Sequence, residues 1–378
     1  MRYSIEIGKI VEGALKRDQL KVHNYTKQLI EKLEADNEIK SACKFNKILS
    51  DQNATTLTPM GMLSEISIPV DTESRVALVD IVYPANNNID LILSRNNAAE
   101  LNAFILSYQN ADKLNSLGLG VSNSLLLYGP PGCGKTKCAY SIAKELRLPL
   151  VVARLDSLIS SYLGTTSKNI RIIFEFAQKM PCVLFLDEFD AIAKARDDSN
   201  ELGELKRVVN SLLQNVDAMS GDSLLLAATN HEKLLDIAVW RRFDYKLKIE
   251  LPDIDAIIKM IDLFTNDTKE INQKEKKELA TAFLGFSGAD IEEIITKALR
   301  NAVIYNNQFT MRNVFDELFA FEHILPQDCH DEKILLQIKA NYLRKCNEKV
   351  FSLQTIADIL NSSKTTIQKL VKEAENGE

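Results

Sequence analysis

Leu125-Leu126-Leu127-Tyr128-Gly129-Pro130-Pro131-Gly132-Cys133-Gly134-Lys135-Thr136 is the stretch on which the reading of this chain turns. Its first four residues form an apolar run that predicts a buried strand, and the next eight fit G-x-x-x-x-G-K-[ST]. A helical pattern then continues to about Leu146, which is the strand–loop–helix setting a phosphate-binding loop requires. The glycines let backbone N–H groups curl around phosphate oxygens, and the helix N-terminus adds a favourable dipole. Lys135 can reach the β- and γ-phosphates of a nucleotide, and Thr136 can ligate Mg²⁺. Gly129, Pro130, Pro131, Gly132, Cys133, Gly134, Lys135, Thr136 and Lys137 are therefore the candidate nucleotide contacts. Cys133 reads as a small residue at a variable position of that loop, with a redox switch as the alternative reading.

Outward from the loop, apolar runs recur at Leu150–Ala153, Val183–Leu186, Leu224–Ala228 and Leu247–Leu251. They are nearly continuous in apolar character, as strands covered on both faces should be. Amphipathic helical stripes separate them: Ile170, Ile173, Phe174 and Ala177 form one, and another runs from Leu205 to Val216. This alternation predicts an α/β fold, a parallel sheet with helices on both faces. After Pro252 the strand signals stop. Residues 254–322 read as all helix, with Ile291, Ile294, Ile295, Ala298, Leu299 and Ala302 on one face.

Two strand ends carry further chemistry. Val183-Leu184-Phe185-Leu186-Asp187-Glu188 is an apolar strand that delivers two carboxylates at its C-terminal end, the edge where open α/β sheets bind ligands. Asp187 suits Mg²⁺ held largely through water, and Glu188 suits a general base that polarises the attacking water. Leu224–Ala228 ends in Thr229-Asn230, where a polar side chain can sense the γ-phosphate and orient that water.

The 378 residues, 46% apolar and 26% charged with a net charge of −6, are ordinary for a globular chain of two or three domains and argue weakly against a surface coated by nucleic acid. The six cysteines form no C-x-x-C pair, so reduced thiols are expected. Met1–Ile10 carries Arg2, Glu6 and Lys9 and lacks the apolar stretch of a signal peptide, and no uncharged apolar run approaches the ~20 residues of a membrane span. A cytoplasmic protein without membrane contact is expected. The expected organisation is a helical N-terminal region (1–50), a Thr/Ser/Pro/Gly-rich linker (51–74), the nucleotide-binding α/β domain (75–252), a helical lid (253–325) and a C-terminal helical region (326–378). In the first of these, Val22, Tyr25, Leu29 and Leu33 share a helix face.

Residues 353–372 pattern as two short helices. Ile356, Ile359 and Leu360 stripe the first, Asn361-Ser362-Ser363 supplies the turn, and Ile367, Leu370 and Val371 stripe the second. The pattern resembles the DNA-binding helix-turn-helix, with Lys364, Thr365, Thr366 and Gln368 on the would-be recognition helix. From 333 to 372 there are eight basic residues and two acidic ones, which favours phosphate contact. Asn361 stands where Gly is usual and Ser362 where an apolar residue is usual, and the same pattern also fits a helical packing or oligomerisation unit.

Taken as an ordered set, these motifs resemble the AAA family of ATPases within the AAA+ class. The set runs Gly-Pro-Pro-Gly-Cys-Gly-Lys-Thr, Leu-Phe-Leu-Asp-Glu-Phe-Asp, Ala-Thr-Asn, the run Leu235–Asp244 that ends Arg241-Arg242-Phe243-Asp244, and Phe286-Ser287-Gly288-Ala289-Asp290-Ile291. The match covers about residues 75–320 and looks most like stand-alone bacterial single-module members. The resemblance implies Mg²⁺-dependent ATP hydrolysis in a homo-oligomeric ring, a hexamer, coupled to remodelling of a macromolecule, with protein the favoured substrate. It places Arg241 and Arg242 as arginine fingers acting on a neighbouring subunit, although the usual intervening Pro-Gly is missing, and Arg242, directly before Phe243-Asp244, is the better match. It aligns Tyr162, Leu163 and Gly164 with a substrate-gripping pore loop; a core Tyr at a helix start fits the same residues. It gives Gly288 and Ala289 to close approach of the lid to the nucleotide. Proteolysis would require a separate protease partner. A DNA-associated ATPase anchored by residues 353–372 is the alternative, and a nucleotide-locked scaffold the third reading.

Overall fold

The computed structural model describes residues 3–15, 19–55, 68–71, 74–84, 90–155, 163–193, 202–219, 224–265, 271–322 and 331–375. The chain divides into two compact units. One comprises Met1–Leu91, Asn97–Gly129 and Lys135–Ile249, the other Ile92–Asn96, Pro130–Gly134 and Glu250–Glu378.

The first unit is built on a six-stranded sheet of β1 (Val79–Val82), β2 (Ser124–Tyr128), β3 (Leu150–Ala153), β4 (Val183–Leu186), β5 (Leu224–Thr229) and β6 (Tyr245–Lys248), in the spatial order β1-β3-β4-β5-β2-β6. Strands β3, β4, β5, β2 and β6 run parallel to their neighbours. Every residue of β4 and β5 is buried, which accounts for their unbroken apolar sequences. Ile170, Ile173, Phe174 and Ala177 of the helix Leu163–Lys179 pack with Val208, Val209 and Leu212 of the helix Leu202–Ala218 in one core with the sheet.

Two strands depart from the sequence reading, and both lie at sheet edges. β1 was not expected, and it pairs antiparallel with β3, so the sheet is mixed rather than wholly parallel. Its Asp80 is exposed and pairs with Arg154 at 3.1 Å. The last strand is Tyr245–Lys248 rather than 247–251. An edge strand has one neighbour, so it alternates (Leu247 buried, Lys248 exposed) instead of reading as a continuous apolar run. The amide of Ile249 still bonds the Tyr128 carbonyl at 2.8 Å, but Leu251 is turned to solvent.

The N-terminal helices are Ser4–Leu15, Gln19–Ala35 and Ile39–Thr55, the last continuing past the expected break at Ser50. Of the expected stripe, Tyr25, Leu29 and Leu33 are buried and Val22 is half-buried. Most of the expected linker, residues 56–67 and 72–73, lies outside the described residues.

The second unit is helical in its described residues after Pro252: Ile254–Phe264, Gln273–Ala282, Gly288–Ile304, Met311–Phe321, Glu332–Cys346, Leu353–Ile359 and Lys364–Glu375. Starts are marked by side-chain caps, with Asn272/Glu275 and Ser287/Asp290 forming reciprocal capping boxes. A single hydrophobic cluster runs from Ile257 through Ile295 and Phe315 to Phe351, Ile356 and Val371. The lid and the C-terminal region, expected as separate segments, thus share one core. Among the described residues no helix is long and apolar enough to cross a membrane.

Candidate nucleotide-binding and catalytic site

β4, β5 and β2 are consecutive parallel neighbours, with Leu186 opposite Ala227 and Tyr128 opposite Thr229. Their C-terminal ends therefore share one edge, which brings Gly129, Asp187 and Asn230 to the same side of the sheet although they are far apart in sequence. Gly129 leaves β2 at φ +140, and a Cβ there would lie 2.1 Å from the Ile249 carbonyl oxygen, so no other residue fits. Lys135 opens the helix Lys135–Leu146, is 6% exposed, and donates from Nζ to the Gly129 carbonyl at 2.8 Å. Thr136 Oγ1 donates to Asp187 Oδ2 at 2.8 Å, so the two expected Mg²⁺ ligands are already in contact. Lys137 is exposed on the first turn of the helix. One turn in, burial pushes the Cys138 thiol up to about 12, so it stays protonated at neutral pH and serves as packing.

Glu188 is exposed and sits at φ +49, the left-handed region in which a residue with a side chain is strained by about 1–3 kcal/mol. Its neighbours hold it there. The Glu188 amide donates to its neighbour's Asp187 Oδ1 at 3.0 Å, and the Phe189 amide donates to the Ala228 carbonyl of β5 at 2.8 Å. The buried Phe189 ring meets Phe243 edge-on at 5.5 Å. Thr229 Oγ1 donates to Asp190 Oδ1 at 2.6 Å and accepts from the His231 amide, fixing the backbone on either side of the half-buried Asn230. The Thr229–Asp190 bond was not read from the sequence; both residues lie inside the quoted motifs, but only strand adjacency pairs them.

Within the second unit, Gly132 (φ +73) lies against the start of the helix Gly288–Ile304. A Cβ on it would come within 2.4 Å of Ser287 Oγ, and the Ala289 amide donates to the Gly132 carbonyl at 3.1 Å. Gly288 is less constrained: a Cβ there would lie 3.3 Å from Met260 Cε and 3.4 Å from the Gly132 oxygen. Gly288 and Ala289 thus lie against Gly132 at the start of this helix. Cys133 is buried and its thiol lies 3.7 Å from the Pro131 carbonyl; Pro131 is exposed and Pro130 half-buried.

The two arginines lie elsewhere. Asp244 is locked to Ser124 at the N-terminal start of β2, its amide donating to Ser124 Oγ at 2.9 Å and its carboxylate accepting at 3.0 Å. The phosphate loop leaves the opposite end of β2, roughly 16 Å away at the rise of a strand. Arg241 and Arg242 are both exposed, and Arg242 Nε lies 3.0 Å from Asp217 Oδ1. Tyr162 lies outside the described residues; Leu163 and Gly164 begin the helix Leu163–Lys179.

Comparison with known proteins agrees with this geometry. Residues 125–251 match the family described as "ATPase family associated with various cellular activities (AAA)". An "Uncharacterized AAA family ATPase" of Sinorhizobium fredii is 41% identical over 279 residues, covering 73% of this chain and 83% of the relative. This chain belongs to the AAA family of ATPases. Two further relatives are each 31% identical. One, a "Putative 26S proteasome regulatory subunit homolog" of Methanocaldococcus jannaschii, matches 58% of this chain and 60% of its own length. The other, the "ATP-dependent zinc metalloprotease FTSH 1, chloroplastic" of Oryza sativa subsp. japonica, matches 53% of this chain and 30% of its own length.

As a member of this family the AAA ATPase binds and hydrolyses ATP. Its residues fit the magnesium nucleotide: Gly129 and Gly132 leave no room for a side chain, Lys135 brings a buried ammonium to the loop, and Thr136 with Asp187 offers hard oxygen donors of the kind Mg²⁺ prefers. Hydrogen bonds to charged groups are worth about 1.5–3 kcal/mol each. Lys135→Ala is therefore expected to weaken ATP binding ~10²-fold in calorimetric titration. Unchanged affinity together with a lowered unfolding temperature would mean that the ammonium only ties down the loop through Gly129.

Proposed function

We propose that this AAA ATPase works as a homo-oligomeric ring, a hexamer, that couples ATP hydrolysis to remodelling, unfolding or translocation of a protein substrate. The observation that supports the catalytic half most directly is the Thr136–Asp187 contact beside a Glu188 held in left-handed backbone. Backbone amides of residues 129–136 and the Lys135 ammonium bind the triphosphate. Thr136 and Asp187 would hold magnesium, which when bound would neutralise phosphate charge. Glu188 takes a proton from the water that attacks the γ-phosphorus, Asn230 orients that water, and the bond to the β–γ bridging oxygen breaks to release ADP and phosphate. Arg242, assisted by Arg241, stabilises the developing charge in the site of an adjacent subunit. That role accords with the roughly 16 Å separating the start of β2 from its own phosphate loop.

The remodelling half rests on the resemblance of Ser161-Tyr162-Leu163-Gly164 to a pore loop and on relatives named as a proteasome regulatory homolog and an ATP-dependent protease. An aromatic ring on a loop grips an extended chain through apolar contact that makes no sequence demand. Degradation of the substrate, where it follows, falls to a separate protease partner. Tyr162→Ala is expected to keep ATP turnover within about twofold, because the pore-loop reading assigns the ring to the substrate and not to the phosphates, while unfolding of a tagged test protein is lost. Full unfolding activity in that variant would remove the pore-loop reading and leave the ATPase assignment standing. A second reading, a DNA-associated motor, is favoured by the C-terminal helices.

A further inference from the structure

The C-terminal three helices carry a feature that ATP hydrolysis does not use. Leu353–Ile359 and Lys364–Glu375 are joined by a tight turn in which Asn361 adopts φ +50, and the Ser362 amide closes back on the Ala357 carbonyl at 2.9 Å. Asn is the side-chain-bearing residue that best tolerates this conformation, which explains how it replaces the usual Gly. Ser363 Oγ accepts from the Thr366 amide at 3.1 Å and caps the second helix. Ile356, Ala357, Ile359, Ile367, Leu370 and Val371 are buried, with Ala357 small enough for close contact between the helices. Glu332–Cys346 completes the trio, its Gln337 donating to the Leu370 carbonyl at 3.0 Å and its Lys333 pairing with Glu373 at 3.2 Å. Arg312 anchors the first helix by donating to the Ile359 and Asp358 carbonyls. The helix pair is therefore packed into the core of the second unit.

Its charge is more localised than the sequence count implies. Between 331 and 375, Asp331, Glu332, Glu373 and Glu375 join Glu348 and Asp358, and several cations are spent internally. Lys339 lies over the Phe319 ring and beside Asp316, and Arg344 bonds Glu348 and the Phe351 carbonyl. The outward stripe of Lys364–Glu375 is Lys364, Thr365, Gln368, Lys369 and Lys372, all exposed; Thr366 is exposed as well, but its hydroxyl is turned to Ser363 Oγ at 2.7 Å. Glu373 flanks this stripe and is drawn toward Lys333, with Lys369 3.9 Å away. Among the described residues 353–375 there is no exposed large hydrophobic side chain, whereas Val303, Ile304 and Tyr305 elsewhere in the same unit are 80%, 64% and 70% exposed. A helix face used to pack on another protein would be expected to carry apolar anchors. This one carries three ammonium groups and two hydrogen-bonding side chains of the types that read base edges and phosphates.

We propose that the outward face of Lys364–Glu375 docks on duplex DNA in the major groove, with Lys364, Lys369 and Lys372 on phosphates and Thr365 and Gln368 toward base edges. The proposal is independent of the catalytic reading. It is tested on the full chain by fluorescence anisotropy with a mixed-sequence duplex across a salt series. The comparison is wild type against the triple variant Lys364→Gln/Lys369→Gln/Lys372→Gln, with a melting curve confirming that the exposed changes leave the fold intact. Wild-type binding should weaken steeply with salt, and the variant should bind at least ~10-fold more weakly, with the slope of log affinity against log salt reduced by about one unit per lysine lost. ATP turnover without DNA should be equal in both, so failure here leaves the ATPase assignment untouched. No wild-type binding at low salt, an unchanged slope in the variant, or equal wild-type affinity for poly-glutamate would each overturn it, the last by showing a polyanion-binding face only.

Discussion

Glu188→Gln is expected to lower ATP turnover of the assembled protein by ~10²- to 10⁴-fold, the usual contribution of a positioned general base, while ATP binding is retained. The separation of the two effects follows from the structure. The ligand-type contacts, Lys135 to Gly129 and Thr136 to Asp187, do not involve the Glu188 side chain. The strained backbone at φ +49 is held by the bond of Phe189 to β5 and the burial of its ring, both of which Gln leaves in place. Rapid-quench turnover measured beside nucleotide titration checks the result, and normal turnover would reject Glu188 as the base. Arrested in the ATP-bound state, the same variant should retain its substrate, so the material that co-purifies with it, nucleic acid included, identifies what the motor acts on.

Arg242→Ala is expected to reduce turnover of the assembled protein ~10³-fold, in the range for arginine fingers, without changing ATP affinity. In the subunit described here Arg242 rests on Asp217, with both side chains about half exposed (46% and 50%). Exposed ion pairs are worth about 0–1 kcal/mol, so a neighbour's phosphate can displace Asp217 at small cost. If the arginine serves an adjacent subunit as proposed, mixing Arg242→Ala with Glu188→Gln protein should restore activity: the first contributes an intact base and the second an intact finger. No recovery on mixing would place the arginine's action within its own subunit. If Arg242→Ala alone keeps its turnover while Arg241→Ala loses it, the finger is Arg241, and the Asp217 pair is a structural tie.

The sequence by itself determined the parts whose signals are local. The phosphate loop was legible because Gly129, Gly132 and Gly134 occupy positions where φ is positive and, at the first two, where a Cβ would strike other atoms. The central strands were legible because burial on both faces leaves no room for polar residues, as in Val183–Leu186 and Leu224–Thr229. The two helices of the C-terminal turn were legible because each buries one apolar stripe. Only the tertiary structure decided what depends on a partner remote in the chain. β1 exists because Val79–Val82 finds β3, and its own composition, with an exposed Asp80, does not announce a strand. The left-handed backbone of Glu188 is imposed by Phe189, which is held by β5 and Phe243 rather than by any propensity of Glu. The Arg242–Asp217 pair and the capture of acidic and basic residues in the C-terminal helices likewise depend on which surfaces meet. Steric limits and hydrophobic periodicity are written into short stretches of chain, whereas pairing energies between charges and strand edges exist only after distant segments have been brought together.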